Sequence, residues 1–346
     1  MHFFIYSRSL SEQLWMIDDS GVHSASYSRC NACPLTLAPA PQLTSTVLMV
    51  RPACFGFNPL TATDNVFQHC ADHTTPDHIR LQARVEFEAY VASLRSVGVA
   101  VHVVEDTPDP VRPDAVFPNN WLSTHADGTV VTYPMCAPNR RTERRDDVIQ
   151  MLERLFVVTR FVDMTAHEDE GRFLEGTGSI VIDHVTSTAY ASLGTRTDPA
   201  LFSQWCATLG LKGVSFHACD DAGHALYHTN VVMCVGAAFA VVCLDAIRDP
   251  AERAAVHAAL AGSKDIIEIS VAQMMQFAGN MLHVQGRDGT YLVMSRTAHA
   301  CLTPAQLALI ASHAAPLVVT LDTIETHGGG SARCMLAEIF LTPREI

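Results

Sequence analysis

A thiol, an imidazole and a carboxylate stand in three segments of this sequence that suit covalent chemistry. Cys334 follows three consecutive glycines, His228 begins an apolar stretch, and Glu175 directly precedes a glycine. A nucleophilic cysteine needs an accessible thiol with a low pKa, and glycines permit a close backbone approach to a ligand. Taken singly, the three also fit a structural cysteine, an ordinary histidine and a loop acid. Together they are typical of thiol catalysis assisted by a base.

Five polar residues near predicted strand ends are almost evenly spaced along the chain. They are Asn120, Glu175, His228, Asn280 and Cys334, with separations of 55, 53, 52 and 54 residues. A period of about 50 residues is typical of repeat architectures, in which each unit is one supersecondary element. The spacing therefore predicts five or six such units, each carrying one polar residue at an equivalent position.

The elements that must position these residues alternate between short β-branched runs and amphipathic stretches. Capping residues before a proline, as in Asp198-Pro199, Asp249-Pro250 and Thr303-Pro304, predict three helix starts. This alternation predicts an α/β fold. The predicted strands are 46–50, Val99–Glu105, Gly128–Tyr133, Ser179–Val185, Val231–Gly236, Phe239–Leu244, Ile266–Ser270, Tyr291–Ser295, Leu317–Leu321 and Met335–Leu341. The predicted helices are Leu81–Val97, Arg144–Phe156, Pro199–Leu209, Pro250–Ala261 and Pro304–Ser312.

Composition excludes several classes of protein. Of the 346 residues, 48% are hydrophobic, which argues against a disordered chain. The net charge of −13 argues against nucleic acid or an anionic membrane as the main partner, because both attract lysine and arginine. We expect no membrane-spanning helix, since no run of about 18 apolar residues occurs. The motifs of phosphate-binding loops and HExxH zinc proteases are missing from the sequence.

The chain is expected to comprise a weakly ordered extension, residues 1–44, and one catalytic domain, residues 45–346. The extension is rich in serine, proline and alanine and has no clear apolar periodicity. Eleven scattered cysteines, with no secretory signal before them, predict reduced thiols in a cytoplasmic protein.

Seven segments, in order, resemble one known family. They are RPACFGFNP (51–59), FPNNWLSTH (117–125), YPMCAPNRR (133–141), FLEGTGS (173–179), YHTNVVMCVG (227–236), FAGNML (277–282) and GGGSARCM (328–335). They are similar to segments of the guanidino-group-modifying enzymes, the pentein or amidinotransferase superfamily. That superfamily includes arginine deiminases and dimethylarginine hydrolases. The chain resembles most its citrulline hydrolase branch, which is related to the arginine deiminases.

The resemblance implies a five-bladed α/β propeller of pseudo-repeated ββαβ units with one site on its axis. It implies that Cys334 attacks the substrate carbon, that His228 acts as acid and base, and that Glu175 binds substrate nitrogens and orients His228. It implies no metal and no other cofactor. The expected partner is a small amino acid, citrulline or arginine-like, and the resemblance is compatible with an oligomer.

Two amides depart from the arginine deiminase pattern, which has aspartates where this chain has Asn120 and Asn230. A guanidinium has only donors and a positive charge, so carboxylates suit it. A ureido group is neutral and has an acceptor oxygen, so amides suit it better. The two amides therefore favour hydrolysis of citrulline to ornithine, carbon dioxide and ammonia. A shift of one residue would put Asn119 in place of Asn120, and Asp114 is a nearby source of a carboxylate.

Further residues are candidates for substrate binding. Arg140 and Arg141 resemble a family segment whose arginine binds the substrate carboxylate, for which a planar guanidinium is well suited, although a solvated helix start explains them equally well. Asn58 and Asn280 complete the candidate set. Two alternatives stay open: a guanidino hydrolase of the arginine deiminase or dimethylarginine hydrolase type, and a non-catalytic binding protein with the same fold.

Overall fold

A computed structural model describes residues 41–70 and 74–345, together with the backbone of two short strands nearer the N-terminus. The chain divides into two compact units, 1–36 and 37–346. Within the first unit, the two short strands form an antiparallel hairpin. Most of the predicted extension, residues 1–44, lies outside the described residues.

The elements follow one another in a regular order. The strands are β1 (Trp15–Asp18), β2 (Gly21–Ser24), β3 (Thr46–Arg51), β4 (Ala100–Glu105), β5 (Leu122–Thr124), β6 (Thr129–Thr132), β7 (Arg160–Asp163), β8 (Val181–Asp183), β9 (Thr188–Ser192), β10 (Lys212–Phe216), β11 (Met233–Val235), β12 (Phe239–Val242), β13 (Asp265–Glu268), β14 (Leu282–Gln285), β15 (Thr290–Ser295), β16 (Ala315–Val319) and β17 (Ala337–Glu338). The α-helices are α1 (Pro76–Ser96), α2 (Asp146–Leu155), α3 (Gly176–Ser179), α4 (Pro199–Leu209), α5 (Thr229–Val232), α6 (Pro250–Ala261), α7 (Val271–Met274), α8 (Arg296–Cys301), α9 (Pro304–His313) and α10 (Asp322–Gly328). The 3₁₀ helices are Pro118–Asn120, Pro138–Glu143, Thr165–Glu170, Leu244–Ala246 and Ala332–Met335.

Five small sheets of the second unit share one topology. In each, the first strand is antiparallel to the second, and the second is parallel to the third. The sheets are β5-β6-β7, β8-β9-β10, β11-β12-β13, β14-β15-β16 and β17-β3-β4. In every sheet, helices connect the second strand to the parallel third, as a parallel crossover requires. This mixed α/β fold is consistent with the pseudo-repeats that the spacing predicts.

The fifth sheet joins the two ends of the second unit. In it, β17 pairs with β3, so that Ala337 lies opposite Leu48. Thr44, which precedes β3, donates a hydrogen bond to the carbonyl of Ile339 at 2.6 Å. The Gln42 side chain donates to two other sheets, at the carbonyls of Ile182 and Val235. Residues 41–44 are therefore packed against the fold, although they fall within the predicted extension.

The capping residues position the outer helices as the sequence predicts. The Asp198 carboxylate accepts the backbone N–H of Leu201 at the start of α4, and Asp249 caps α6 in the same way. Thr303 and Gln306 form a capping box at the start of α9. The predicted bounds of α4 and α6 match the structure, because an N-cap acid followed by proline defines a helix start well.

The first strands of the sheets were predicted too long. The predicted strands Ser179–Val185, Val231–Gly236 and Met335–Leu341 are short strands, preceded in each case by one helical turn. In the second of these turns, Val231 and Val232 are helical despite the β preference of valine. The turn before β8 requires glycine at position 176. The φ of Gly176 is +47°, and a Cβ there would lie 2.3 Å from the carbonyl oxygen of Asn119.

Apolar clusters fill the space between the sheets and the outer helices. Helix α1 buries Phe87, Tyr90 and Leu94 completely. The Tyr90 hydroxyl also donates to the Ala332 carbonyl at 3.0 Å, which ties this helix to the turn that carries Cys334. No helix in the described part of the chain is long and apolar enough to cross a membrane.

Two buried histidines, His125 and His283, and the partly buried His184 should make the fold sensitive to acid. Burial lowers the pKa of His125 to about 3, and the pKa values of His184 and His283 to about 4. Unfolding lets these histidines take up protons near pH 6.5. Their contribution is therefore complete above about pH 6.5 and is lost as the pH falls from there towards 4. Each should reduce the free energy of unfolding by up to about 1.4 kcal/mol per pH unit in that window.

Urea unfolding at a series of pH values from 7.5 to 5 measures this slope. A His125→Gln variant should lower the slope of the free energy of unfolding against pH by up to about 1.4 kcal/mol per pH unit, which is the contribution of one proton. The matched control, His257→Gln on the exposed face of α6, should leave it unchanged. An identical slope in both variants would contradict the assignment to buried histidines.

Candidate active site

The five evenly spaced polar residues all lie in the segments that lead into the first strands of their sheets. Asn120, Glu175, His228, Asn280 and Cys334 each lie in the turn just before a first strand: β5, β8, β11, β14 and β17, respectively. Several of these first strands are neighbours, since β11 contacts β8 and β14, and β17 contacts β5. The 52–55 residue spacing thus reflects one repeated position in the fold.

One small cavity is lined by three of these five residues: Asn120, His228 and Cys334. Its free volume is about 10 Å³, room for roughly one water molecule. The residues around it are Thr61, Asn65, Asp114, Phe117, Asn120, Arg140, Arg196, Tyr227, His228, Gly328, Gly330 and Cys334.

The Cys334 thiol is buried and contacted by two amides. The Asn280 Nδ2 donates to its Sγ at 3.1 Å, and the Asn230 Nδ2 lies at 3.4 Å. Burial raises the pKa of the Cys334 thiol, and the hydrogen bond from Asn280 offsets only part of this effect. The thiol is therefore protonated at neutral pH in the unliganded site, so it needs a base or a cationic substrate to become a thiolate.

Glu175 and His228 form a buried pair. The Glu175 Oε2 lies 2.9 Å from the His228 Nε2, and its Oε1 accepts the backbone N–H of Cys136 at 2.9 Å. Burial alone would raise the pKa of Glu175, but the guanidinium of Arg196 and the His228 hydrogen bond hold it well below its ordinary value. Burial lowers the pKa of His228, and Glu175 offsets only part of that shift. A neutral His228 therefore donates its Nε2–H to the Glu175 carboxylate.

Arg196 is a cavity residue that the sequence analysis missed. It is buried, forms an ion pair with Asp64, and lies 3.6 Å from Glu175. Its guanidinium also lies over the Tyr227 ring at 4.9 Å. The available signal was weak: one arginine between small residues, after a strand that was itself not predicted.

Arg140 lies in the cavity wall, and protein acceptors hold its guanidinium. Its Nε and Nη2 donate to the two oxygens of Glu143, both at 2.9 Å. Its Nη1 donates to the Asn120 Oδ1 at 2.9 Å. The Asn120 Nδ2 in turn donates to the Asn119 Oδ1, so both ends of the Asn120 amide have protein partners.

Asp114, in the cavity wall, has one carboxylate oxygen without a hydrogen bond from the described part of the chain. Its Oδ2 accepts hydrogen bonds from Asn58 at 2.6 Å and from Thr61 at 3.3 Å. Its Oδ1 is buried and has no hydrogen-bond partner among the described residues. A buried acceptor without a partner costs about 1–3 kcal/mol, and more when the group is charged. This oxygen is therefore suited to accept a hydrogen bond from a ligand.

Five of the predicted binding residues do not line the cavity: Asn58, Asn119, Arg141, Asn230 and Asn280. Arg141 is partly exposed and contacts Met135 and Glu168. Asn58 supports Asp114 from behind, and Asn119 contacts Asn120. Asn280 lies beneath the thiol. Their positions give Asn58, Asn119 and Asn280 indirect contact with the cavity through its wall.

Several solved structures of other proteins have a similar fold. The N-terminal domain of ArgZ, an arginine dihydrolase from the ornithine-ammonia cycle in cyanobacteria, was solved with its substrate. It matches with a TM-score of 0.67 and 16% identity, over 86% of this chain and 99% of that domain. Unliganded AgrE matches with a TM-score of 0.68 and 18% identity, over 87% of this chain and 40% of AgrE. A dimethylarginine dimethylaminohydrolase, as an adduct with S-methyl-L-thiocitrulline, matches with a TM-score of 0.57 and 15% identity, over 85% of this chain and 99% of that one.

These matches differ in how much of the other protein they include. The chain spans about two fifths of full-length ArgZ and AgrE, at 41% and 40%. No curated protein matches the sequence.

A family model gives the assignment at the level of sequence. The model for eukaryotic N,N dimethylarginine dimethylhydrolases matches residues 51–341, which include all five site turns. The solved structures share the same superfamily fold. The chain therefore belongs to the N,N dimethylarginine dimethylhydrolase family of the pentein superfamily, and it is homologous to hydrolases that act on guanidino C–N bonds.

Proposed function

We propose that this protein hydrolyses the guanidino group of arginine or a close derivative, with Cys334 as the nucleophile. The observation that carries the proposal is the unpaired Oδ1 of Asp114 in the cavity wall. The Arg140 Nε lies 3.7 Å from the other oxygen, Oδ2, so what Oδ1 lacks is a donor, and a guanidinium supplies N–H donors together with a positive charge. The expectation of citrulline rests on two amides in place of two aspartates, and the buried carboxyl group of Asp114 weighs against it.

The charges around the cavity favour a cationic substrate. The ion pairs bring four carboxyl groups, those of Asp64, Asp114, Glu143 and Glu175, close to the guanidiniums of Arg140 and Arg196. Burial raises the pKa of Glu143 to about 7, despite its hydrogen bonds from Arg140. The three other carboxyl groups still outnumber the two guanidiniums. Arginine carries a net charge of +1, whereas citrulline is neutral overall, so arginine compensates this excess better.

The reaction begins with activation of the thiol. A guanidinium beside the Cys334 sulfur favours the thiolate, and the thiol proton passes to His228, where Glu175 stabilises the imidazolium. The thiolate then attacks the central guanidino carbon, and His228 returns the proton to the departing ammonia. A water molecule, deprotonated by His228, attacks the adduct and releases the ureido product and the thiol. Atoms and charges balance without a cofactor.

The α-carboxylate of the substrate has a candidate partner in Arg196. Its present ion-pair partner, Asp64, is partly exposed. A substrate carboxylate that replaced Asp64 would form the bidentate pair that a guanidinium favours. Arg140 is less available, because all three of its nitrogens already donate to protein acceptors.

A second candidate activity is the hydrolysis of citrulline, either alone or as a second turnover after arginine. The observation in its favour is that amides, not carboxylates, occupy positions 120 and 230, and that Asn230 contacts the thiol. ArgZ, one of the proteins with a similar fold, is described as an arginine dihydrolase.

We also propose that the five sheets close into a five-bladed propeller and that residues 45–346 form one catalytic domain.

A product assay distinguishes these activities. The purified chain is incubated separately with L-arginine, L-citrulline and dimethylarginine, and ammonia, dimethylamine, citrulline and ornithine are measured. We expect ammonia and citrulline from arginine. Ammonia from citrulline but none from arginine would replace the proposal with the ureido hydrolase. Dimethylamine alone would restrict the substrate to methylated arginine, and no product from any of the three would favour a binding protein.

Replacing Asp114 by asparagine tests the main argument. The Asp114→Asn variant keeps the shape of the side chain and its acceptor for Asn58 but loses the charge. We expect kcat/KM for arginine to fall by about 10- to 100-fold, because a charge-assisted hydrogen bond contributes about 1.5–3 kcal/mol. The value for citrulline should change less. An equal loss for both substrates would mean that Asp114 does not recognise the guanidinium.

A further inference from the structure

The amide of Asn280 is fixed in one orientation beneath the nucleophile. Its Oδ1 accepts the backbone N–H of Arg333 at 3.1 Å, and its Nδ2 donates to the carbonyl of Asn230 at 2.9 Å. A backbone N–H can only donate and a carbonyl can only accept, so these two partners exclude the flipped amide. The second hydrogen of Nδ2 remains for the Cys334 Sγ at 3.1 Å.

The neighbouring amide behaves differently. The Asn230 Nδ2 lies 3.4 Å from the Cys334 Sγ, and its Oδ1 lies 3.8 Å from the same sulfur. Asn230 can therefore accept from the thiol or donate to the thiolate, whereas Asn280 can only donate. A group that only donates to sulfur stabilises the thiolate relative to the thiol.

Asn280 has no remaining capacity for a substrate. It is fully buried, it does not line the cavity, and its side-chain oxygen and both Nδ2 hydrogens are used by protein partners. The same amide also connects the turns of three sheets, those that carry Asn230, Asn280 and Cys334. This connection ties the sulfur and its donor to the same three turns.

We infer that Asn280 is a positioning residue, which holds the Cys334 sulfur and stabilises its thiolate, and that it does not contact the substrate. The inference rests on the proposed function only in that Cys334 is the nucleophile. The charged and titratable groups that face this sulfur from the surrounding elements are Arg333, Tyr90, Tyr227, His228, Arg140, Arg196 and Asp114. Asn280→Ala also removes the acceptor of the Arg333 backbone N–H, whereas Asn280→Asp keeps an oxygen there, so the two variants together separate the loss of the sulfur donor from the loss of that contact.

The test is the pH profile of Cys334 alkylation by iodoacetamide in the full chain, read from the Cys334 peptide by mass spectrometry. Two variants are compared with the unmodified protein. Asn280→Ala removes the donor, and Asn280→Asp directs a carboxylate oxygen at the sulfur. We expect the midpoint of the profile to move to higher pH by about one unit for Asn280→Ala and further for Asn280→Asp. At neutral pH this equals about a 10-fold loss of reactivity or more.

Several readings separate this role from a purely structural one. The exposed Cys70 in the same samples is the internal reference, and its alkylation should not change. Above the midpoint, the Cys334 rates of the Asn280→Ala variant and the unmodified protein should converge. Faster alkylation at every pH, with an unchanged midpoint, would show that Asn280 only closes the site and would overturn the inference. If the reagent does not reach the buried thiol, the ultraviolet absorbance of the thiolate, taken as a difference from the matching Cys334→Ser protein, gives the same midpoint.

This measurement needs no substrate. A protein that failed to turn over arginine or citrulline would still report the thiol midpoint, so failure of the proposed function and failure of the Asn280 role are distinguishable. In an active protein, Asn280→Ala should lower kcat with little change in KM, because Asn280 acts through the nucleophile. A change confined to KM would point to substrate contact and would contradict the inference.

Discussion

Replacing Cys334 by serine is expected to reduce turnover of arginine by at least about 10³-fold, to the detection limit of an ammonia assay. The amides of Asn230 and Asn280 can donate to a hydroxyl as they do to the thiol, so the turn should keep its shape. A serine hydroxyl does not ionise near neutral pH, and no covalent adduct then forms. Losing a nucleophile of this kind typically removes most of the catalytic rate.

The thermal midpoint of the Cys334→Ser protein should stay close to that of the unmodified chain. A matched control is Cys219→Ser, a partly buried cysteine away from the cavity, which should retain full activity. Mass spectrometry of the unmodified protein, quenched during turnover, should find arginine less ammonia attached to the Cys334 peptide. Near-native activity in a folded Cys334→Ser protein would exclude Cys334 as the nucleophile.

The repeat and the reactive groups can be predicted from the sequence because both depend on short segments of the chain. Each unit of about 53 residues comprises two strands, a helix and a third strand, so its polar turn recurs at a regular interval. Helix starts such as Asp198-Pro199 are also local, since the cap and the proline define the first turn by themselves. These features follow from residues that are near one another in the chain.

The sequence does not predict which residues far apart in the chain contact each other in the fold. Arg196 meets Asp64, and Asp114 meets Asn58, only after five sheets have packed together. The helical turns before the first strands were also missed, because a short apolar run predicts a strand unless tertiary contacts require a turn. As a result, the expectation of citrulline rests on the amides at positions 120 and 230 and takes no account of the ion pairs around the cavity.

The double variant Asn120→Asp and Asn230→Asp should raise the ratio of kcat/KM for arginine over citrulline by about 100-fold or more. A carboxylate facing the ureido oxygen of citrulline places acceptor against acceptor. Facing a guanidinium, it forms a charge-assisted hydrogen bond of about 1.5–3 kcal/mol, and about 1.4 kcal/mol corresponds to one factor of ten. Purified single and double variants, assayed with both substrates, measure this ratio.

The two positions should not contribute equally. Arg140 already donates to the Asn120 side chain at 2.9 Å, so a carboxylate at position 120 would pair with that guanidinium and pass little of its charge to the substrate. A carboxylate at position 230 would lie beside the Cys334 sulfur and would have no such cation opposite it. Most of the change in the ratio should therefore come from Asn230→Asp.

The absolute rates of the Asn230→Asp protein should fall for both substrates, because a negative charge beside the sulfur raises the pKa of the Cys334 thiol. That loss is common to arginine and citrulline, so it largely cancels in the ratio. The Asn120→Asp single variant is the matched control, since it adds the same charge beside Arg140. An unchanged ratio in a folded double variant would mean that neither amide recognises the substrate, and selectivity would then depend on Asp114 alone.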